Sequence, residues 1–367
     1  MRDKKTILYL LIISTFLLSM MALMAYAESS VKNSAKAFSL YSPDTDTFIL
    51  SNNIDTKLPM ASTTKIMTAL IAIESLDLNE SVTVPSEAVG IEGSSLYLEA
   101  GDVLTVKDLI YSLLLQSAND AAVVLALKTS GSIEAFANIM NERAHELGAK
   151  STSFENPHGL DSDNHYTTAH DLALIAATAI NNDTFRKIAS TYKYSFKIGE
   201  NLRTVVNHNK LLNMYEGCIG VKTGYTQRCG RCLVSAANKN GITLVAVTLS
   251  DPDDWRDHKN ILDYGFEMLK SVETKILASI PDTIPAISAN KDSLKIGLKD
   301  SDKYTVTYKS EGAPSVDLKL PPYIAKNVKC GDKIGTAIIK GKSFTKEIDV
   351  IALEDITIKT AKRSFFK

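Results

Sequence analysis

The sequence is short of everything that would mark it for nucleic acid, metal or fibre. Its 41 Lys and Arg stand against 42 Asp and Glu, a formal net charge of −1, so no basic excess exists to neutralise a phosphate backbone. Six histidines and four cysteines occur in 367 residues, and they show no zinc-ligand spacing; neither a metal nor a cofactor is expected. Glycine and proline are sparse, at 18 and 10, and no internal repeat is visible, which excludes low-complexity classes. What is present, 45% hydrophobic and 23% charged residues, is the composition of a soluble globular protein. The length allows a large core and more than one domain.

The N-terminus stands apart. Residues 1–27 have a basic start (Arg2, Lys4, Lys5), a long apolar run and Ala25-Tyr26-Ala27 ahead of Glu28, the three-part pattern of a secretory signal peptide. Ile7 to Ala27 is also just long enough to span a bilayer, so an uncleaved anchor is the alternative. Either reading puts the working part outside the cytoplasm. In an exported chain Cys218, Cys229, Cys232 and Cys330 permit disulfides without demanding them. Cys229-Gly-Arg-Cys232 has redox-motif spacing, but no βαβ pattern surrounds it, and buried free thiols are the reading preferred.

Hydrophobic periodicity then lays out an α+β domain over 28–279. Two short strands flank a turn at Pro43-Asp44-Thr45-Asp46. An apolar helix follows over 58–76, and two helices over 104–131 break near Gln116-Ser117, the first opened by Thr105 and Asp108 in capping-box spacing. Two amphipathic helices come next, then β-rich segments around Lys222 and the turn signal Asn240-Gly241, and a helix from about Asp254 to Lys275 that holds the one tryptophan, Trp255. Strands at both ends of the domain should meet in one antiparallel sheet. Near residue 280 the composition changes: 279–293 reads as a proline-containing linker, and 283–367 as a small all-β domain, with alternating strands that include 304–310.

Three short motifs could carry chemistry. Ser62-Thr-Thr-Lys65 opens the apolar helix. S-x-x-K alone is a weak signal, since it also begins at Ser29, Ser190, Ser288, Ser343 and Ser364. Only at Ser62, however, does the pair open a helix that is apolar nearly all round. At i and i+3 the two side chains share a face. A serine is a weak nucleophile that needs an adjacent base, and a lysine in apolar surroundings loses its charged form and can accept a proton. The bland alternative is a capping serine beside a snorkelling lysine. Ser117-Ala-Asn119 lies at the break between helices, where an N-cap would look the same. Lys222-Thr223-Gly224 lies on a predicted strand; Gly224 would let a substrate backbone lie close, and Lys222 and Thr223 would offer donors to a carboxylate. Its bland reading is an edge strand with an exposed lysine.

The order Ser-x-x-Lys, Ser-x-Asn, Lys-Thr-Gly is the motif set of penicillin-binding proteins and class A β-lactamases. With LPMASTTKIMTAL, SSLYLEAGDVLTVKDLIYSLLLQSANDAA, FENPHGLDSDNHYTTAHDLALIA, NHNKLL and GVKTGYTQRCGRCLVSAA, the chain from about Ala35 to Lys270 resembles the low-molecular-mass penicillin-binding proteins, the serine-type D-alanyl-D-alanine carboxypeptidases of peptidase family S11. The resemblance implies a penicillin-binding-protein/β-lactamase-like domain followed by the family's β-rich C-terminal domain. It implies Ser62 as acylated nucleophile, Lys65 as its base, Ser117 as a proton relay and Asn119 as a contact for the substrate amide. Lys222 and Thr223 would hold the terminal carboxylate beside Gly224, and the N–H groups of Ser62 and Tyr225 would form the oxyanion hole. His158 and His208 are candidates near the site, with structural roles the simpler reading of each. The implied partners are a peptidoglycan stem peptide ending in D-Ala-D-Ala and, as inhibitors, β-lactam antibiotics, at the cell wall or the outer face of the membrane. Family members often end in a longer amphipathic helix, whereas this sequence ends in IKTAKRSFFK, enough for weak membrane-surface contact only. Two rival functions are a β-lactamase, for which no segment resembles the loop that supplies a deacylating glutamate, and a catalytically silent wall-binding or β-lactam-sensing protein.

Overall fold

The computed structural model describes residues 31–239, 242–299, 315–340 and 345–359, and the features below lie in the compact unit Ser34–Lys367. The signal segment 1–27, the turn residues Asn240-Gly241, the strand expected over 304–310 and the basic-aromatic end 360–367 lie outside the described residues.

The chain opens with β1 (Ala37–Ser42) and β2 (Thr47–Asn52), joined by the turn at Pro43–Asp46. β1 then pairs along its other edge with β9 (Ile242–Leu249), whose almost unbroken apolar run suits a central strand. β8 (Gly230–Lys239) and β7 (Cys218–Thr226) complete an antiparallel sheet of order β2-β1-β9-β8-β7. The two ends of this part of the chain therefore close one sheet, as the strand pattern predicts.

Between them lies a helical layer. A 3₁₀ turn at Ala61–Thr64 runs into α1 (Lys65–Ser75), buried at every position from Lys65 to Ala72. α2 (Val106–Tyr111) starts at the Thr105/Asp108 capping box, with both reciprocal hydrogen bonds formed. It continues into a π-helical turn, Ser112–Gln116, that ends at Ser117; α3 (Asn119–Ser130) then restarts and is buried from Asn119 to Ala126. α4 (Ile133–Glu146) and α5 (Ala169–Asn181) are capped by Ser132 and Thr168. α1 packs against α3, α5 and the π-helical turn, and that turn also reaches β7. This places the starts of α1 and α3 beside the edge strand β7.

Several elements have no counterpart in the sequence reading, among them the short pair β3 (Ser81–Thr83) and β4 (Val103–Thr105), the helix α6 (Asp183–Ala189), and the hairpin β5 (Lys193–Ile198) with β6 (Asn201–Val206). A short helix α7 (Leu211–Met214) precedes β7, and α8 (Asp254–Ala278) follows β9.

The C-terminal part is β-rich, with order β10 (Thr283–Pro285), β11 (Ser293–Leu298), β14 (Thr345–Ala352), β13 (Lys333–Lys340), β12 (Ser315–Lys319). The expected linker over 279–293 is corrected here, because Thr283–Pro285 is a strand paired with β11. Proline is tolerated at that place because β10 is an edge strand. This sheet gathers its own apolar cluster, including Ile284, Leu294, Ile296, Ile339 and Val350, distinct from the large cluster around α1 and α3.

Candidate active site

Ser62 is the partly exposed member of a buried turn: Ala61, Thr63, Thr64 and Lys65 are all inside. The turn is held from three sides. Ala61 has φ +47, an unusual left-handed value for a residue with a Cβ. Its carbonyl accepts from Thr64 Oγ1 at 2.8 Å. His165 Nδ1 accepts from the Glu155 N–H at 3.0 Å, so Nε2 carries the ring proton and donates to Thr64 Oγ1 at 2.7 Å. Burial holds His165 neutral, its pKa lowered to about 4. Below the turn, a Cβ on Gly159 would meet the Ala61 oxygen at 2.0 Å, so only glycine allows the 156–160 loop to approach. That loop serves the site with a main-chain atom, the carbonyl of His158.

Lys65 Nζ donates to Ser62 Oγ at 2.9 Å and to the His158 carbonyl at 2.5 Å. The side chain is fully buried, which excludes the snorkelling reading. Desolvation pushes its pKa well below the ordinary 10.5, and nearby Lys222 pushes in the same direction against the opposing charge of Asp120. His158 itself is half-buried, its pKa lowered to about 3 by desolvation and by Lys65, and its Nδ1 accepts from the Leu160 N–H.

Ser117 is not the N-cap of the helix that follows it. The N-cap of α3 is Ala118, with no side-chain cap bond. Ser117 is buried, with φ +65 at the end of the π-helical turn. A non-glycine residue in that region, at the end of a π-turn, is a pattern concentrated at functional sites. Asn119 donates its side-chain N–H to the Glu92 carbonyl at 2.5 Å, while its Oδ1 is buried with no partner. A buried unpaired acceptor is costly, and here it is an acceptor free for an amide N–H.

Lys222, Thr223, Gly224 and Tyr225 lie on β7. This is an edge strand, as the bland reading has it, yet Lys222 is only 1% exposed. Burial lowers its pKa to about 7, and Nζ donates to the Thr223 carbonyl at 3.0 Å. Gly224 has a use beyond the one expected. A Cβ there would stand 3.0 Å from the Ser62 nitrogen and 3.1 Å from the Met60 oxygen, so the glycine lets the nucleophile turn press on β7. The Tyr225 side chain is exposed. His208 donates its N–H to the Leu115 carbonyl, and burial and the Lys222 charge lower its ring pKa.

Sequence reasoning missed Asp120 and His165. Asp120 is fully buried and accepts from Ser95 Oγ at 2.5 Å and from the N–H groups of Leu96 and Leu98 at 3.0 and 3.1 Å. It ties the 95–98 segment to the start of α3 while its charge reaches Lys65. Its placement directly after Ser117-Ala-Asn119, in the first turn of a buried helix, was the signal available. Among the described residues, no cluster of His, Cys, Asp and Glu could hold a metal ion.

A hydroxyl bonded to a desolvated amine, with a second buried amine on the adjacent strand, defines a serine acyl-transfer site of the Ser–Lys type. The chain belongs to the D-alanyl-D-alanine carboxypeptidase family, peptidase family S11, whose model matches residues 24–253. It is 33% identical over 342 residues to the D-alanyl-D-alanine carboxypeptidase DacF of Bacillus subtilis, covering 89% of this chain and 87% of that one. It is 36% identical over 245 residues to the D-alanyl-D-alanine carboxypeptidase of Streptomyces sp. strain K15, covering 61% and 84%. Among solved structures it matches the Streptomyces K15 DD-transpeptidase with a TM-score of 0.62 and 33% identity, over 64% of this chain and 98% of that one. A D-alanyl-D-alanine carboxypeptidase from Mycobacterium tuberculosis H37Rv matches with a TM-score of 0.62 and 31% identity, over 64% and 92%.

Proposed function

We propose that the protein is an exported carboxypeptidase that removes the terminal D-alanine from peptidoglycan stem peptides through an ester on Ser62. The observation that carries this reading is the 2.9 Å contact between Lys65 Nζ and Ser62 Oγ inside a buried turn. Neutral Lys65 takes the hydroxyl proton as Ser62 Oγ attacks the carbonyl of the penultimate D-alanine. The N–H groups of Ser62 and Tyr225 receive the oxyanion. Asn119 Oδ1 accepts the substrate amide N–H, and the Lys222 ammonium with the Thr223 hydroxyl binds the terminal carboxylate. As the C–N bond breaks, the proton passes through Ser117 to the departing amine. Water then attacks the ester, Lys65 again takes its proton, and Ser62 regains its own. A penicillin would acylate the same serine but keep its leaving group tethered, crowding the approach of water.

Export rests on the signal pattern of residues 1–27 and on the family's wall substrate; among the described residues no helix is long and apolar enough to cross a membrane. We also place the domain boundary between Ser279 and Thr283, with the β-rich tail as a separate module. The relative from Streptomyces K15 is called both a carboxypeptidase and a DD-transpeptidase, so the acceptor of the acyl group, water or an amine, is the point to test. Purified protein given a peptide ending in D-Ala-D-Ala, without any added amine, should release D-alanine over many turnovers and form a slowly decaying one-to-one adduct with benzylpenicillin. Release only on adding an acceptor amine would make it a transpeptidase. Fast penicillin turnover without D-alanine release would make it a β-lactamase, and a stable adduct with no peptide turnover a sensor.

A further inference from the structure

The C-x-x-C motif plays no part in the chemistry above, yet it lies directly behind the nucleophile turn. Cys229 precedes β8 and Cys232 is its third residue. Their sulfurs are 3.1 Å apart and both residues are buried, at 2% and 0% exposure. Cys229 Sγ donates to the Pro59 carbonyl at 3.0 Å, and Cys232 Sγ lies 3.9 Å from the same oxygen. The two thiols share one hydrogen bond, and the Pro59 carbonyl is the acceptor beside them. Pro59 is three residues before Ser62. Cys232 also stands opposite Gly224 in the β7–β8 register, and Gly224 is the residue on which the Ser62 turn rests. The thiol pair, Gly224 and the nucleophile turn are thus one packed stack.

We propose that Cys229 and Cys232 form a reversible disulfide beneath the nucleophile turn, and that closing it slows acylation at Ser62. Closure asks the sulfurs to approach by about 1 Å, to a bond of about 2.05 Å. It also removes both S–H donors, leaving the Pro59 carbonyl without its partner at the base of the turn. The oxidant is a small-molecule disulfide. One cysteine thiolate attacks it and expels a thiolate; the second cysteine then attacks the mixed disulfide and expels the other. The protein loses two protons and two electrons, and the oxidant leaves as two thiols. The hydrogen bond it shares with Cys232, together with burial, holds the Cys229 thiol well above its ordinary pKa. High thiol pKa slows exchange but makes a poor leaving group, so the bridge is slow to form and resistant to reduction once made.

The coupling to acylation rests on the Ser62 reading; the cross-link does not. The full-length protein is purified reduced, exposed to oxidised glutathione, blocked with iodoacetamide and digested with trypsin, which cuts after Arg231 between the two cysteines. We expect residues 229–231 and 232–239 to appear as one disulfide-linked pair of peptides. Labelling by a fluorescent penicillin should slow by about tenfold, within the ~10²-fold that a misplacement of about 1 Å costs, and recover with dithiothreitol. A variant carrying Cys229→Ser and Cys232→Ser should label at one rate with or without oxidant; Cys229→Ala, which cannot close the bridge, serves if that variant does not fold. Both cysteines alkylated after long exposure to the oxidant would overturn the proposal, and so would a linked pair of peptides with unchanged labelling. Reduced protein that never labels would overturn the Ser62 reading and the coupling with it, while the linked peptides would still decide whether the bridge forms.

Discussion

Lys65 and Ser62 stand one helical turn apart, and the Nζ of one lies 2.9 Å from the hydroxyl of the other with no water-exposed surface left on the lysine. The arrangement makes an available base out of a residue that is ordinarily protonated. Burial and the neighbouring Lys222 both disfavour the ammonium, and the proton of Ser62 is the one within reach.

Lys222 should set an alkaline limb. Its pKa is lowered to about 7 by burial, so the free enzyme loses the ammonium that receives a carboxylate as pH rises past 7. The kcat/KM for peptide should fall above about pH 7, while kcat holds to higher pH because the bound carboxylate restores the charge. Lys222→Met should lower kcat/KM by on the order of 10- to 100-fold. The stability effect has the opposite sense. Between about 7 and 10.5 Lys222 holds a proton in the unfolded chain that it lacks in the fold, so this group makes stability rise with pH through that window. The methionine variant should lose the Lys222 share of this slope and melt higher at pH 7. A kcat/KM that stays flat to pH 9 would contradict the role given to Lys222.

Ser117→Gly separates a functional serine from a structural one. Because Ser117 sits at φ +65 and ends the π-helical turn through its backbone N–H alone, with no side-chain cap on α3, glycine should leave stability unchanged or raise it by up to about 1 kcal/mol. D-alanine release should drop by on the order of 10²-fold or more, the scale of a lost proton relay. A melting temperature lowered by a cap-sized ~1 kcal/mol, with turnover intact, would make the residue structural.

Much of this was legible in the sequence, and the limits have a physical origin. The Thr105/Asp108 cap, the turn at Pro43–Asp46 and the apolar faces of α1 and α5 are local, encoded within a few residues, and the fold follows them. The pairing of Ser62 with Lys65 is likewise local. What escaped depends on residues far apart in the chain. The helix was expected to start around Ser62, but Ser62 lies in a 3₁₀ turn, because Gly224, Gly159 and the His165–Thr64 pair clamp it from about 100 residues or more away. Asp120 reads as one more acidic residue in a first turn until Ser95, Leu96 and Leu98 are found bonded to it. In the β5–β6 hairpin, β5 does alternate, with Tyr194, Phe196 and Ile198 turned inward, but β6 is exposed except at Val205 and leaves Leu202 on the surface, so the pair shows no matched apolar face in the sequence.

The β-rich tail should be dispensable for the chemistry. A chain ending at Ser279 would remove β10 to β14 and their own apolar cluster while leaving the cluster around α1 and α3 intact. It should remain folded and label with fluorescent penicillin within about twofold of the full-length rate, as expected of a domain with its own core. Loss of labelling in a truncated protein that still melts cooperatively would assign the tail a part in the site.

The central claim is that all the chemistry passes through Ser62, and one substitution tests it most directly. Ser62→Ala removes a partly exposed hydroxyl and little packing, so its melting temperature should match that of the wild type. Covalent labelling by a fluorescent penicillin should vanish, with peptide turnover falling by on the order of 10⁶-fold, the scale seen when a protease nucleophile is removed. Labelling that persists in the folded Ser62→Ala protein would show that another residue is the nucleophile.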